Sequence, residues 1–294
     1  MTRRRLLRFC AAAVPTVLAV LQQAAAQTYS VPYVPTPSNV VDVMLQMARV
    51  GPADYVIDLG SGDGRIVIAA AKKHGARGFG VDIDGGLVST ARREAQLQGV
   101  ADRAEFYERS LFVTDISRAT VLTLYLFPSI NAQLRPRLFT ELKPGTRIVS
   151  HEFDMGKWQA DERVTVAVPD KRWGPPSSEV FLWIVPANAA GTWQWRLDLG
   201  GAAVAYELEL EQTFQMLVGK PVAGGRAARI EGARMRGDEI RFMLIADIAG
   251  RETRQEFSGR IAGDTIRGRV KPAGGAEMEW NATRMKRGSI AMDN

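Results

Sequence analysis

The chain has 294 residues, with 38 Lys and Arg against 32 Asp and Glu, and only one Cys and two His. One cysteine excludes an internal disulfide and a thiolate-rich metal site, and two histidines leave no histidine-rich one. Arg3, Arg4, Arg5 and Arg8 lie in the first 26 residues, which hold no acids, so without that segment the net charge of +6 falls to +2. The basic balance is therefore poor evidence for a nucleic-acid partner.

Those first residues are a basic run, an apolar stretch from Cys10 to Leu21, and Ala24-Ala25-Ala26. The pattern predicts a secretory signal peptide over residues 1–26. The apolar stretch is too short and alanine-rich for a membrane span. Thr2-Arg-Arg-Arg-Leu-Leu-Arg8 also resembles a twin-arginine signal, with an ordinary Sec signal as the alternative. Both imply export to a bacterial periplasm. An uncleaved segment serving as a membrane anchor is the third reading. Cleavage removes Cys10 and leaves no membrane span, with length for two domains.

Residues 27–37 form a proline-rich lead-in, since Pro32, Pro35 and Pro37 forbid regular helix or central strand. Ser38 is expected to cap a helix over 39–48, where apolar residues recur at helical spacing. Tyr55–Gly60 reads as a buried strand, Gly60, Gly62 and Gly64 as a tight turn, and Arg65–His74 as a helix stopped by Gly75. A second strand, Arg77–Asp84, ends in carboxylates. Helix 86–99, strand 104–110 and the wholly apolar strand 119–127 follow. Pro128 opens a helix to Leu142 that is expected to kink at Pro136, and strands 146–153, 163–168 and 179–185 complete seven. The alternation predicts an α/β, Rossmann-like sheet with helices on both faces over residues 38–186. Its far edge is expected to be antiparallel, and ligands belong at the carboxyl ends of the strands.

From Gly191 the periodicity changes to two, in Thr192–Arg196, Ala205–Glu211, Glu239–Ala246 and Ala276–Ala282. Gly237-Asp-Glu-Ile-Arg241 is echoed by Gly263-Asp-Thr-Ile-Arg267, as two similar hairpin turns would be. A small antiparallel barrel or sandwich is expected over 190–287, with a polar tail at 288–294. Trp193 and Trp195 are weighed as core against a ligand cleft, and core is the commoner use of aromatic strand residues.

The chemistry lies in Asp58-Leu-Gly-Ser-Gly-Asp-Gly64. A dinucleotide fingerprint needs Gly-x-Gly-x-x-Gly, and Arg65 stands where its last glycine belongs. Gly-x-Gly-x-Gly instead resembles the first motif of class I S-adenosylmethionine (SAM) dependent methyltransferases, and the seven-strand pattern extends that resemblance over roughly residues 31–186. It implies SAM as cofactor, with Asp58, Gly60, Ser61, Gly62 and Gly64 at its methionine portion, where amides and a helix N-terminus suit a carboxylate. Asp82 lies roughly 20 residues beyond the first glycine, the separation at which an acid meets ribose hydroxyls. Asp63 either joins this set or caps the helix. Ser110 and Leu111 stand at the adenine position, where many such enzymes carry an Asp.

Tyr33-Val-Pro-Thr-Pro37 before the first helix, together with Asp58–Ala71, resembles the mitochondrial protein-lysine methyltransferases and their bacterial relatives. That resemblance implies Tyr33 and Thr36 over the cofactor near the methyl group; the alternative is a surface strap. An Asn-Pro-Pro-Tyr signature is absent, and Leu126-Phe-Pro-Ser129 stands in its place. His151, Glu152 and Asp154 are the candidates for accepting a proton or gripping a cationic substrate. The expectation is an exported SAM-dependent methyltransferase acting on a methyl acceptor such as a protein amine, with the β-domain recruiting a partner. SAM is made in the cytoplasm, so the alternative is an exported non-catalytic binding protein that keeps the nucleoside cleft.

Overall fold

A computed structural model describes residues 33–172 and 174–292. The expected signal peptide, Cys10, residues 27–32 of the lead-in and residues 293–294 lie outside the described residues.

The first half alternates strand and helix. In chain order it contains α1 (Ser38–Met47), β1 (Tyr55–Leu59), α2 (Arg65–His74), β2 (Arg77–Asp82), α3 (Gly85–Leu97), β3 (Ala104–Glu108), β4 (Val121–Leu124), α4 (Pro128–Glu141), β5 (Arg147–His151), β6 (Glu162–Ala167) and β7 (Ser177–Ile184). The seven strands order as β3-β2-β1-β4-β5-β7-β6. The first five run parallel, while β7 pairs antiparallel with both β5 and β6. All four residues of β4 are buried, as a strand in a covered parallel sheet must be. Val40, Val41, Met44 and Leu45 of α1 and Ile66 and Ala70 of α2 pack on Val56, Val121, Val149, Val180 and Leu182 of the sheet.

One local expectation is corrected. Ser38 is the first residue of α1 rather than its cap; Pro37 precedes it with φ −57°, and no side chain caps that end. A side-chain cap does occur on α3, where Asp84 Oδ1 accepts from Gly86 N at 2.8 Å and Leu87 N at 3.1 Å.

The second half is all strand. It contains β8 (Gly191–Leu199), β9 (Ala202–Thr213), β10 (Met216–Ala223), β11 (Arg226–Ala227), β12 (Arg229–Arg236), β13 (Glu239–Ile248), β14 (Arg251–Ala262), β15 (Thr265–Pro272), β16 (Met278–Arg287) and β17 (Ile290–Ala291). Eight of these close an antiparallel barrel in the order β10-β12-β13-β14-β15-β16-β8-β9, because β9 also pairs with β10. Closure removes free edges. Trp195, Tyr206, Phe242, Phe257 and Trp280 fill the interior, with the Trp195 and Tyr206 rings stacked at 5.1 Å and Phe242 and Phe257 at 4.8 Å. Trp193 and Trp195 are therefore core. Gly237 and Gly263 both take left-handed φ, 61° and 60°, in the two echoed hairpin turns. No helix among the described residues is long and apolar enough to cross a membrane.

Candidate functional site

The carboxyl ends of β1, β2, β4 and β5 meet on one face of the parallel sheet, and the glycine turn lies between them. Gly60, Gly62 and Gly64 have φ of 83°, 52° and 80°. Such a run is open to glycine at no steric cost. The turn is fastened beneath by two bonds, Gly60 N and Ser61 N each donating to Val81 O at 2.9 Å. Gly64 precedes α2 and has no side chain to cap it, while Asp63 Oδ1 accepts from the first helix amide, Arg65 N, at 3.3 Å. The next amides of that first turn present donors and a positive dipole end toward an anion. Ser61 is 6% exposed, and its Oγ is buried without a hydrogen-bond partner.

Asp82, at the end of β2, accepts from Gly62 N at 2.9 Å and from Asp84 N at 3.0 Å. A carboxylate has about four acceptor sites, so these two bonds leave capacity for a diol. Ile83 follows it, 51% exposed on the same rim. Ser110 caps a single 3-10 turn, Leu111–Val113, its Oγ accepting from Phe112 N at 3.3 Å. Leu111 is half-buried beside it. These features fit SAM: donors for its carboxylate, acceptors for its ribose, and apolar Ile83 and Leu111 for a purine ring. Asp58 is placed differently from its neighbours. It is buried under the turn, bonded to Thr123 Oγ1 at 2.7 Å, and burial together with the Asp82 and Asp63 charges pushes its carboxyl up to about 7 despite the Thr123 bond. It braces the turn from below.

Arg65 ties the lead-in to this turn. Its guanidinium holds Asp63 through Nε to Oδ1 at 2.9 Å and Nη2 to Oδ2 at 2.6 Å, while Nη1 donates to Thr36 O at 2.8 Å. Burial would raise the Asp63 carboxyl, but the Arg65 bonds and charge hold it below its usual range. With Asp63 Oδ1 also accepting from Arg65 N, this carboxylate is engaged at the helix start rather than open to a ligand. The Tyr33 ring lies against Gly62, so closely that a Cβ there would overlap it. Burial, then the bond to Asp63, raises the Tyr33 hydroxyl.

Thr36 reaches β5. Its Oγ1 lies 3.1 Å from His151 Nδ1, and both residues are buried. His151 Nε2 has no hydrogen-bond partner and sits 3.6 Å from Glu152 Oε2. Burial drives the imidazole down to about 4, the Glu152 charge opposing and Lys171 assisting, so the ring is neutral at pH 7. Glu152 pairs with Lys171 Nζ at 2.9 Å. Asp154, the third candidate on this strand end, accepts from Gly156 N at 3.0 Å and turns away into its own loop.

The structure thus brings Tyr33, Thr36, His151 and Glu152 to one side of the glycine turn and Asp82, Ser110 and Leu111 to the other. It also gives a place to residues for which the sequence offered no role. Tyr125 packs on His151 at 4.0 Å between ring centres and on Phe153 at 6.1 Å, and Phe127 lies 5.7 Å from Phe153. This aromatic wall stands where β4 and β5 end. Leu126 touches the turn, within 3.0 Å of where a Gly60 Cβ would lie. The signal for the wall was the aromatic run Tyr125-Leu-Phe127, which became informative once β4 was known to neighbour β1.

Residues 58–162 match the family described as the ANTKMT methyltransferase domain, which ends before the barrel. A protein-lysine N-methyltransferase of Saccharolobus islandicus is 43% identical over 156 residues, covering 53% of this chain and 94% of that protein. The adenine nucleotide translocase lysine N-methyltransferase of Mus musculus is 33% identical over 129 residues; the match spans 44% of this chain and 56% of that relative. A solved structure of an RNA methyltransferase from Salinibacter ruber with S-adenosyl-L-homocysteine is 54% identical, covering 51% of this chain and 93% of that one, with a TM-score of 0.47.

Proposed function

The chain belongs to the class I SAM-dependent methyltransferases, and on that premise we propose that it methylates the side-chain amine of a lysine in a protein. The observation that carries this reading is the Thr36–His151 contact, which closes the lead-in over the glycine turn and leaves an aromatic wall with one carboxylate beside it. Relatives named for lysine methylation support it. The alternative of a non-catalytic binding protein is not favoured.

SAM supplies an activated methyl group whose transfer is an in-line displacement: the acceptor nitrogen bonds the carbon as the carbon–sulfur bond breaks. The chain's own residues have three tasks. Asp82 and the amides at the start of α2 hold the cofactor in register. Tyr125, Phe127 and Phe153 draw an alkylammonium to their ring faces, which attract cations without titrating. The same low-dielectric surroundings favour the neutral amine, the only form with a free lone pair. The proton that the lysine ammonium sheds before attack goes to solvent, since the neutral His151 is held too low to keep it and the Glu152 carboxylate is already paired with Lys171.

Incubating the full chain with methyl-labelled SAM and a cell extract, then separating protein from RNA and hydrolysing the protein, tests the proposal. The expected label is in methylated lysine; label confined to RNA, or to other amino acids, would overturn it. Residues 1–26 favour export, by a Sec or twin-arginine route or with the segment kept as an anchor. Residues 1–30 fused to a reporter active only outside the cytoplasm should yield signal, and silence would contradict export.

A further inference from the structure

The loop after β5 is held by an unusual number of side chains, and some of them come from the barrel. Asn131 Nδ2 donates to Asp154 O at 3.1 Å, Arg135 Nη1 to Met155 O at 3.0 Å, Trp183 Nε1 to Trp158 O at 2.8 Å, and Gln215 Nε2 to Gln159 O at 2.7 Å. Four carbonyls within six residues are thus fixed. The Trp158 ring, fully buried, packs on Phe139 at 4.4 Å and stacks on Phe214 at 6.1 Å with the planes 10° apart. The Arg135 guanidinium lies 5.4 Å over the Phe214 ring.

Phe214 and Gln215 form the turn between β9 and β10. That turn is itself fixed: Gln212, buried in β9, accepts from Ala189 N at 2.7 Å and donates to Ala187 O at 3.0 Å and Phe214 O at 2.8 Å. Phe214 takes a left-handed φ of 52° and is 4% exposed. An aromatic residue in that conformation persists only where surrounding contacts impose it.

At the start of the same loop, Glu152 has φ of 66°, and Phe153 N donates to His151 O at 2.8 Å across it. This is a three-residue turn of the rare, strained kind. It aims the Glu152 carboxylate back at His151 and Lys171. A strained turn needs a stiff frame downstream, and the clamped segment 154–159 supplies one.

We propose that the C-terminal barrel is a working part of the acceptor side: through Phe214 and Gln215 it holds loop 152–159, and with it the strained turn at Glu152. Phe214 is a positioning residue acting through Trp158. That this loop faces the methyl acceptor rests on the function proposed above; the mechanical coupling does not. Hydrogen exchange followed by mass spectrometry on the full chain tests it. In Phe214→Ala, amides of residues 153–159 should exchange at least about tenfold faster, as expected when a local clamp is lost. The affinity for S-adenosyl-L-homocysteine, read by calorimetry, should change less than about twofold, because the glycine turn is fastened by β2 and Arg65. Phe214→Tyr should restore protection. Gln215→Ala, which deletes one bond and leaves the barrel core intact, should loosen the same amides to a smaller extent and serves if Phe214→Ala does not fold. Parent-like exchange of 153–159 in the folded variants would overturn the proposal, as would a loss of cofactor affinity matching the loss of protection. The exchange measurement uses no acceptor, so a failure of the lysine reading leaves it intact.

Discussion

Thr36 and His151 lie 115 residues apart in the chain, and their side chains meet at 3.1 Å in a buried contact. The first belongs to a proline-bounded lead-in and the second to the end of β5, so the contact draws a strap across the cofactor turn. With Arg65 holding Thr36 O from below, the strap is fixed at both its backbone and its side chain.

Thr36→Val keeps the shape and removes the hydroxyl, stranding His151 Nδ1 in a buried place. The expected cost is about 1–3 kcal/mol of stability, the penalty for an unpaired buried polar atom. Chemical denaturation measures it, and an unchanged midpoint would mean that the contact contributes nothing.

His151 makes stability depend on pH in a definite direction. Its folded-state value of about 4 lies below the ordinary 6.5, so the contribution is complete above pH 6.5 and is lost as pH falls toward 4. Between pH 7 and pH 4 the parent should lose about 2–3 kcal/mol more than His151→Asn. Denaturation curves at the two pH values give the difference, and parallel losses would contradict it.

Asp58 works in the opposite sense. Burial raises it to about 7 from an ordinary 3.8, so its contribution is complete below pH 3.8 and is lost as pH rises through 7. Asp58→Asn keeps an acceptor for Thr123 and should gain about 2–4 kcal/mol on the parent between pH 4 and pH 8.5. A relative stability independent of pH would place the carboxylate in water rather than under the turn.

Gly62→Ala sets a Cβ against the Tyr33 ring at a residue with φ of 52°. Strap and turn cannot then both keep their places, and the affinity for S-adenosyl-L-homocysteine should fall at least about tenfold, the equivalent of about 1.4 kcal/mol. Parent-like binding would show the strap to be free of the turn.

Much of this was legible in the sequence for a local reason. The glycine turn, α2 and Asp82 fall within one stretch of chain, so spacing alone carries their relation. Tyr125 and Phe153 were passed over, and Phe127 was noted only where an Asn-Pro-Pro-Tyr signature is missing, because the three become neighbours only through the strand order β1-β4-β5. Arg65 was read as a departure from a dinucleotide pattern, and its bond to Thr36 O could not be seen without the strap folded back. In the barrel, β10 escaped notice because Gly219 and Pro221 interrupt its alternation. Strands β12, β14 and β15 escaped because arginines crowd their outward positions and glycines, Gly259 and Gly268 among them, interrupt the apolar alternation. Closure of the barrel, a property of all eight strands together, gives those weak segments their pairing.

The most direct measurement is a calorimetric titration of S-adenosyl-L-homocysteine into the full chain and into Asp82→Ala. The glycine turn with Asp82 at the end of β2 requires binding by the parent and a loss of about 1–3 kcal/mol in the variant, the cost of stranding the ribose hydroxyls. Absence of binding by the parent, or equal affinity in the two proteins, would contradict the assignment of this cleft to SAM.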